Sequence, residues 1–306
     1  MGASAISPLV ILNPAANRGD MSFYRAWLPD RVAEEHGEYR ETTQPGDANV
    51  WAMQAAREGR PLVVVGGDGS LNEVISGILA VGGRVPLGII PTGSGNDFAW
   101  YALKLPRDPK ALFVRAFHGH PVDVDAGVVN GRYFVNSFGV GLDADVAVAA
   151  GELKKVPFLR GTRLYYAAIM RQMLFGYQRC PWLKFGLDEE IDVGLRGDVQ
   201  ERRYILLAVS NGPTYGAGFR INPKAVYNDG FFDVCAIDYL PQVRALSLLS
   251  RAKRGEHEGL PVVHFYRVRK VHIESREPVN TLLDGETTRA TSFHAEVLPG
   301  ALQVRV

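Results

Sequence analysis

The chain has 306 residues, which at roughly 150 residues per domain suggests two lobes, each able to bury its own core. Hydrophobic side chains make up 46% and charged ones 22%, the balance of a globular protein, and 33 glycines with 18 prolines point to many tight turns. The 34 basic and 33 acidic residues nearly cancel, which provides no field to recruit nucleic acid.

The first residues, MGASAISPLVILNP, lack the basic start and long apolar stretch of a secretory signal, and no uncharged apolar run is long enough to span a bilayer. Residues 8–12, PLVIL, form a continuous apolar run ending at Asn13-Pro14, which reads as a buried parallel strand feeding a loop. Helical spacing follows over 21–36. A second run, Pro61 to Val65, breaks into Gly66-Gly67-Asp68-Gly69-Ser70 and then a helix with Leu71, Val74, Ile75 and Ile78 on one face. A third unit repeats the plan: PLGII at 86–90, the loop PTGSGND, and a helical stretch opening at Phe98. Strands alternating with helices predict a parallel α/β lobe.

After Pro121 the period changes. GRYFVNSF, RRYILLAVS, FFDVCAID, YRVRKVHIES and FHAEVLP read as strands between turns, so the second lobe is expected to be an antiparallel β-sandwich with one helical insertion at 160–178. The boundary near 121–126 rests on the change of period alone and is set at 1–124 and 125–306. Cys180 and Cys235 are too few for a disulfide framework, Cys235 sits in an apolar run, and a reducing cytoplasm fits both. His118 and His120 have no third ligand nearby in sequence, and the acidic run at 188–192 reads as a solvated face.

Asn13-Pro14, Gly66–Ser70 and Gly93–Asp97 all follow strands. At such ends helix N-termini and free backbone N–H groups favour anions, and glycine lets the backbone approach a phosphate closely. The loop matches neither the Walker pattern nor the dinucleotide fingerprint. Asp68 beside a phosphate cradle calls either for a cation such as Mg²⁺ between the charges or for a helix-capping role, and the sequence leaves both open.

In order, NPAANRG at 13–19, GGDGSLNEVISGI at 66–78, PLGIIPTGSGNDFA at 86–99, FVNSFGVGLDADV at 134–146, VSNGPTYGAGFRINPKAVYNDGFFDV at 209–234 and LLDGE at 282–286 resemble the successive blocks of the diacylglycerol kinase, sphingosine kinase and bacterial soluble lipid kinase family. The resemblance implies an N-terminal α/β lobe that binds ATP and a C-terminal β-sandwich lobe carrying the lipid site. It further implies a cleft between the lobes, with the last strand a candidate to return to the first lobe. It implies nucleotide contacts at Asn13, Gly66, Gly67, Asp68, Gly69, Ser70, Gly93, Ser94, Gly95 and Asn96, and Mg²⁺ near Asp68, Asp97 and Asp125. Asp229 resembles the aspartate of an additional metal site. Glu286 matches the proposed general base, with Asp284 orienting the acceptor hydroxyl or the metal-bound water. Without the other blocks, Asp284-Gly285 would read as a solvated turn.

Ser70 and Ser94 replace the family's usual threonines and keep a hydroxyl. Ala16-Asn17, Trp100 and YGAGF also depart from its pattern, which bears on grip and selectivity. The implied activity is transfer of phosphate from ATP to the hydroxyl of a membrane lipid such as diacylglycerol, by a cytoplasmic protein, a homodimer if it follows the commonest assembly, that visits the membrane from outside. The mixed basic and apolar helix at 160–178, with Arg160, Arg163, Arg171 and Arg179, is a candidate membrane contact, although its apolar face also suits packing on its own domain. Two rivals remain: a nicotinamide-nucleotide kinase, disfavoured by GSGNDFA and by the glutamate ending the last block, and a catalytically silent lipid- or nucleotide-binding regulator.

Overall fold

The computed structural model describes residues 6–153, 156, 158–159, 161–187, 201–216 and 218–306; Arg160, Ala217 and the acidic run at 188–192 lie outside them. The chain divides into two compact units, Met1–Ala126 with Pro299–Val306, and Gly127–Leu298.

In the first unit, strands β1 (Leu9–Leu12), β2 (Glu38–Glu41), β3 (Leu62–Gly66) and β4 (Pro86–Pro91) stand in the order β2-β1-β3-β4, all parallel. Every residue of β1 and β3 is buried, the pattern of strands covered on both faces, which is why they read as unbroken apolar runs. Residues Gln303 and Val304 add a further parallel strand beside Pro86 and Leu87. Helices α1 (Ser22–Glu34), α2 (Asp47–Arg57), α3 (Asp68–Ala80) and α4 (Pro109–His118) cover the sheet. The helix expected from Phe98 is a single π turn, Phe98–Ala102. The regular helix begins later, where Asp108 accepts from the Ala111 N–H at 2.8 Å and Pro109 fills the first turn. Strand β5 (Pro121–Val129) leads out of this unit.

The second unit contains β6 (Arg132–Phe134), β7 (Ser137–Gly141), β8 (Trp182–Leu187), β9 (Arg202–Ser210), β10 (Phe232–Asp238), β11 (Val263–Val268), β12 (Lys270–Leu283) and most of β13 (Glu286–Arg305). Their pairings are antiparallel. Strand β10 shows how the unit is layered. Phe232, Val234 and Ala236 enter a core made by the strands, whereas Cys235 and Ile237 enter a second core shared with α5 (Leu142–Leu153), α6 (Gly161–Arg171) and α7 (Gln242–Arg254). Two of these helices escape the sequence reading. Helix α5, LDADVAVAAGEL, carries small apolar residues without a distinct stripe, and α7 buries only Ala245, Leu248 and Ala252. The insertion at 160–178 is α6 followed by a π turn, Gln172–Gly176, and a 3₁₀ turn, Tyr177–Arg179. Both cysteines are free and buried. Among the described residues no helix is long and apolar enough to cross a membrane.

Candidate active site

In the first unit the glycine loops after β3 and β4 interlock. Gly67 precedes α3 in an extended conformation, and a Cβ on Gly93 would lie 2.6 Å from the Gly67 Cα, so neither position accepts a side chain without moving the other loop. Asp68 opens α3, and its Oδ2 accepts the Asn96 N–H at 2.8 Å. Asn96 itself is buried with φ +54°, and its amide closes the turn by donating to the Gly93 carbonyl at 2.6 Å while its Oδ1 accepts the Gly93 N–H at 3.2 Å. Gly95 leaves room for the carboxylate: a Cβ there would stand 2.8 Å from Asp68 Oδ2. Gly69 and Ser94 are exposed.

Asn13 joins this pair of loops from β1. Its Nδ2 donates to Ser70 Oγ at 2.8 Å and its Oδ1 accepts the Ala15 N–H at 2.9 Å. The buried Ser70 hydroxyl therefore braces Asn13 against the start of α3, a positioning job that the expectation of a phosphate- or metal-binding hydroxyl did not include. A Cβ on Gly66 would come within 2.5 Å of it.

Burial pushes the Asp68 carboxyl above its usual range, against the pull of the Asn96 N–H. A desolvated carboxylate beside backbone that only glycine permits fits a cation shared with phosphate oxygens, since Mg²⁺ uses one or two carboxylates and keeps water and phosphate as its other ligands. The hydroxyl of Thr92, which sequence reasoning passed over, is buried there without a partner. Asp68, Asp97 and Asp125, the aspartates expected near Mg²⁺, are not a ready-made ligand set: among the described residues no three His, Cys, Asp or Glu side chains are grouped to hold an ion. Asp97 is buried at the start of the Phe98 turn. Asp125 is buried on β5, where its Oδ1 accepts the Gly300 N–H at 2.7 Å and so ties the last residues to this unit. Asp229, for which the resemblance implies an additional metal site, pairs with Arg267 at 2.6 Å and accepts the Phe231 N–H at 3.1 Å, closing its own turn.

In the second unit, Asp284 and Gly285 join β12 to β13 as a two-residue hairpin with φ +44° and +94°, the backbone for which Asp-Gly is suited. The turn is not solvated at its aspartate. Asp284 is buried, with Oδ2 accepting the Val135 N–H at 2.7 Å and Oδ1 those of Asn136 and Ser137 at 3.0 and 2.9 Å. Beside the role the resemblance implies for Asp284, these bonds to main chain make the residue an anchor of the turn. Glu286, next along, is half-exposed and ion-paired with Arg132, a neighbour that no motif pointed to. The asparagines of the surrounding blocks are structural as well. Asn136 donates to the Thr214 carbonyl at 2.9 Å and Asn211 to that of Val135 at 2.9 Å.

Between α6, α7 and the sheet lies an apolar cavity of about 80 Å³, lined by Leu142, Ile169, Met173, Ile205, Phe219 and Leu248 among others. One acidic residue intrudes. Asp143 lines the cavity, its Oδ2 accepting from Tyr215 Oη at 3.1 Å and its Oδ1 buried without a partner, and burial pushes its carboxyl up to about 7.

The comparisons with known proteins agree in kind. Residues 7–129 match the model of the diacylglycerol kinase catalytic domain, and residues 136–306 match the YegS C-terminal NAD kinase beta sandwich-like domain. A diacylglycerol kinase of Staphylococcus carnosus is 30% identical over 289 residues, 90% of this chain and 87% of its own length, and one of Staphylococcus saprophyticus is 29% identical over 290 residues, 90% and 88%. Among solved structures, a diacylglycerol kinase from Bacillus anthracis str. Sterne superposes with a TM-score of 0.71 at 21% identity, covering 99% of this chain and 98% of that one, a likeness of fold. With both halves matched in order and a relative aligned over nearly its whole length, the chain belongs to the diacylglycerol kinase catalytic domain family, in the form that carries a YegS-type C-terminal β-sandwich.

Proposed function

We propose that the chain is an ATP- and Mg²⁺-dependent lipid kinase whose acceptor is the hydroxyl of diacylglycerol or a closely related membrane lipid. The family's catalytic domain implies ATP, and its curated relatives bear the name diacylglycerol kinase. The observation that carries the reading is the pair of interlocked glycine loops around Asp68, a partly buried carboxylate beside backbone that only glycine allows. In this reading the loops of the first unit hold the phosphates of ATP, with Asn96 and Asn13 fixing their shape. Asp68 would hold the magnesium ion, whose chemistry is to neutralise charge on the phosphate oxygens. Phosphoryl transfer needs mainly positioning and electrostatic stabilisation. The acceptor oxygen bonds to the γ-phosphorus as the bond to ADP breaks, and Glu286, held by Arg132 and by the anchored turn, takes the hydroxyl proton. Exposed Leu174 and Phe175, just beyond α6, support an approach to a membrane surface.

Radiolabelled ATP with magnesium should give labelled phosphatidic acid from mixed micelles of diacylglycerol. Label on NAD, offered in a parallel arm, would replace this reading by a nucleotide kinase. Nucleotide binding with no transfer to either acceptor would leave a silent regulator.

A further inference from the structure

Elsewhere in the second unit a cavity of about 730 Å³ with charged and apolar lining opens beside the β12–β13 hairpin, within the ~300–1,000 Å³ typical of small-molecule sites. Its wall carries Arg171, Arg179, Arg203, Arg276 and Arg289 against Asp145, Glu152 and Glu277. Two of the arginines are neutralised, Arg171 by Glu152 at 2.6 Å and Arg276 by Glu201, and Glu277 is exposed. The other three share the wall with two carboxylates, Asp145 and Glu277, and Arg179 and Arg289 are exposed as Glu277 is. Among the described residues Arg203 donates only to the main-chain carbonyls of Gln178 and Cys180 and lies 3.9 Å from the Tyr239 ring centroid, contacts that orient a guanidinium without cancelling its charge. Arg289 Nε donates to the Pro278 carbonyl at 2.9 Å, and Arg179 makes no side-chain hydrogen bond or ion pair among the described residues. Asp145 is partly buried, accepts from Asn280 Nδ2 at 2.7 Å, and feels the charges of Arg179 and Arg289.

We propose that this cavity is a binding site for a phosphate ester that also carries a hydroxyl or amino group. Planar guanidinium forks match phosphate oxygens, and Arg179, Arg203 and Arg289 offer them with more positive charge than Asp145 and Glu277 together offset. Asp145 supplies the acceptor for the ligand's own donor. None of these residues belongs to the phosphoryl-transfer machinery assigned above, so the site stands or falls independently of that reading. Two sources offer this chemistry, a soluble ester such as glycerol 3-phosphate and the headgroup of a glycerophospholipid.

Titration calorimetry of the full chain with glycerol 3-phosphate should show one site, in the presence of a saturating non-hydrolysable ATP analogue that occupies the glycine loops. Arg179→Ala with Arg289→Ala should weaken it by about tenfold or more, the loss of charge-assisted hydrogen bonds. Asp145→Asn should weaken glycerol 3-phosphate while leaving inorganic phosphate unchanged. Melting curves report whether each variant is folded, and Arg179→Gln alone substitutes for the double variant should that one fail. If glycerol 3-phosphate displaces the protein from phosphatidylglycerol vesicles, the headgroup is the source; if it binds without displacing, the soluble ester is. Absence of binding by the unaltered chain, or equal affinity in the arginine variants, overturns the proposal.

Discussion

A glutamate beside a hairpin turn is useful as a base only while its main chain is held, and Glu286 is held from two directions. Arg132 pairs with its carboxylate, and Asp284 pins the turn through three main-chain N–H groups. The two acidic residues should therefore fail differently. Glu286→Gln should lower kcat by about 10²–10⁴ with an unchanged melting temperature, measured by lipid phosphorylation and calorimetry. Asp284→Ala strands buried donors at about 1–3 kcal/mol each, so it should lower the melting temperature as well as activity. Asp143 bears on pH. Its folded carboxyl is pushed up to about 7 from 3.8, so the native state holds an extra proton between those values. Stability therefore falls as pH rises through that window and is level above it. Asp143→Asn should remove that decline and melt higher than the parent at pH 8; parallel melting curves across pH would refute it. The Asp284-Gly285 turn was legible from its dipeptide, but the anchor was not, because Val135, Asn136 and Ser137 lie 147–149 residues away. Arg132 escaped notice for the same reason: a single basic side chain carries no motif.

At the level of elements, the loop geometry rests on how closely α3 packs. A Cβ on Gly77 would stand 2.3 Å from the Asn49 carbonyl oxygen and 3.0 Å from the Ala52 Cβ, so α2 and α3 cross at backbone contact. Gly77→Ala should destabilise the fold by about 1–3 kcal/mol despite alanine's better helix propensity, read as a lower urea midpoint. Gly93→Ala forces the two glycine loops apart and should raise KM for ATP more than it alters melting. The strands β1, β3 and β4 and helix α3 were readable because burial on both faces and a helical stripe each leave a strong pattern. Strand β2, EYRE, left none: all four residues are only partly buried and three are charged. The glycine loops were readable as phosphate cradles, whereas Ser70 bracing Asn13 and Asn96 closing Gly93 depend on side-chain geometry that spacing does not encode.

For the whole molecule, the first unit is completed by residues that follow the second in sequence. Leu302 and Val304 are buried, Val304 pairs with Leu87, and Gly300 donates to Asp125. Two buried aliphatic side chains are worth about 1.5–3 kcal/mol each. Ending the chain at Leu298 should therefore destabilise the first unit by several kcal/mol and expose it to limited proteolysis; an unchanged digestion pattern would show that the pairing contributes little. Nothing in the local pattern of residues 299–306 names β4 as their partner, since a short strand can pair wherever an edge is open. During synthesis on the ribosome the parallel sheet must wait, with the flank of β4 bare, until some 170 further residues between Ala126 and Pro299 have emerged. The half of the molecule made first is the half finished last, and a chaperone that shields that flank would find its client in the nascent chain.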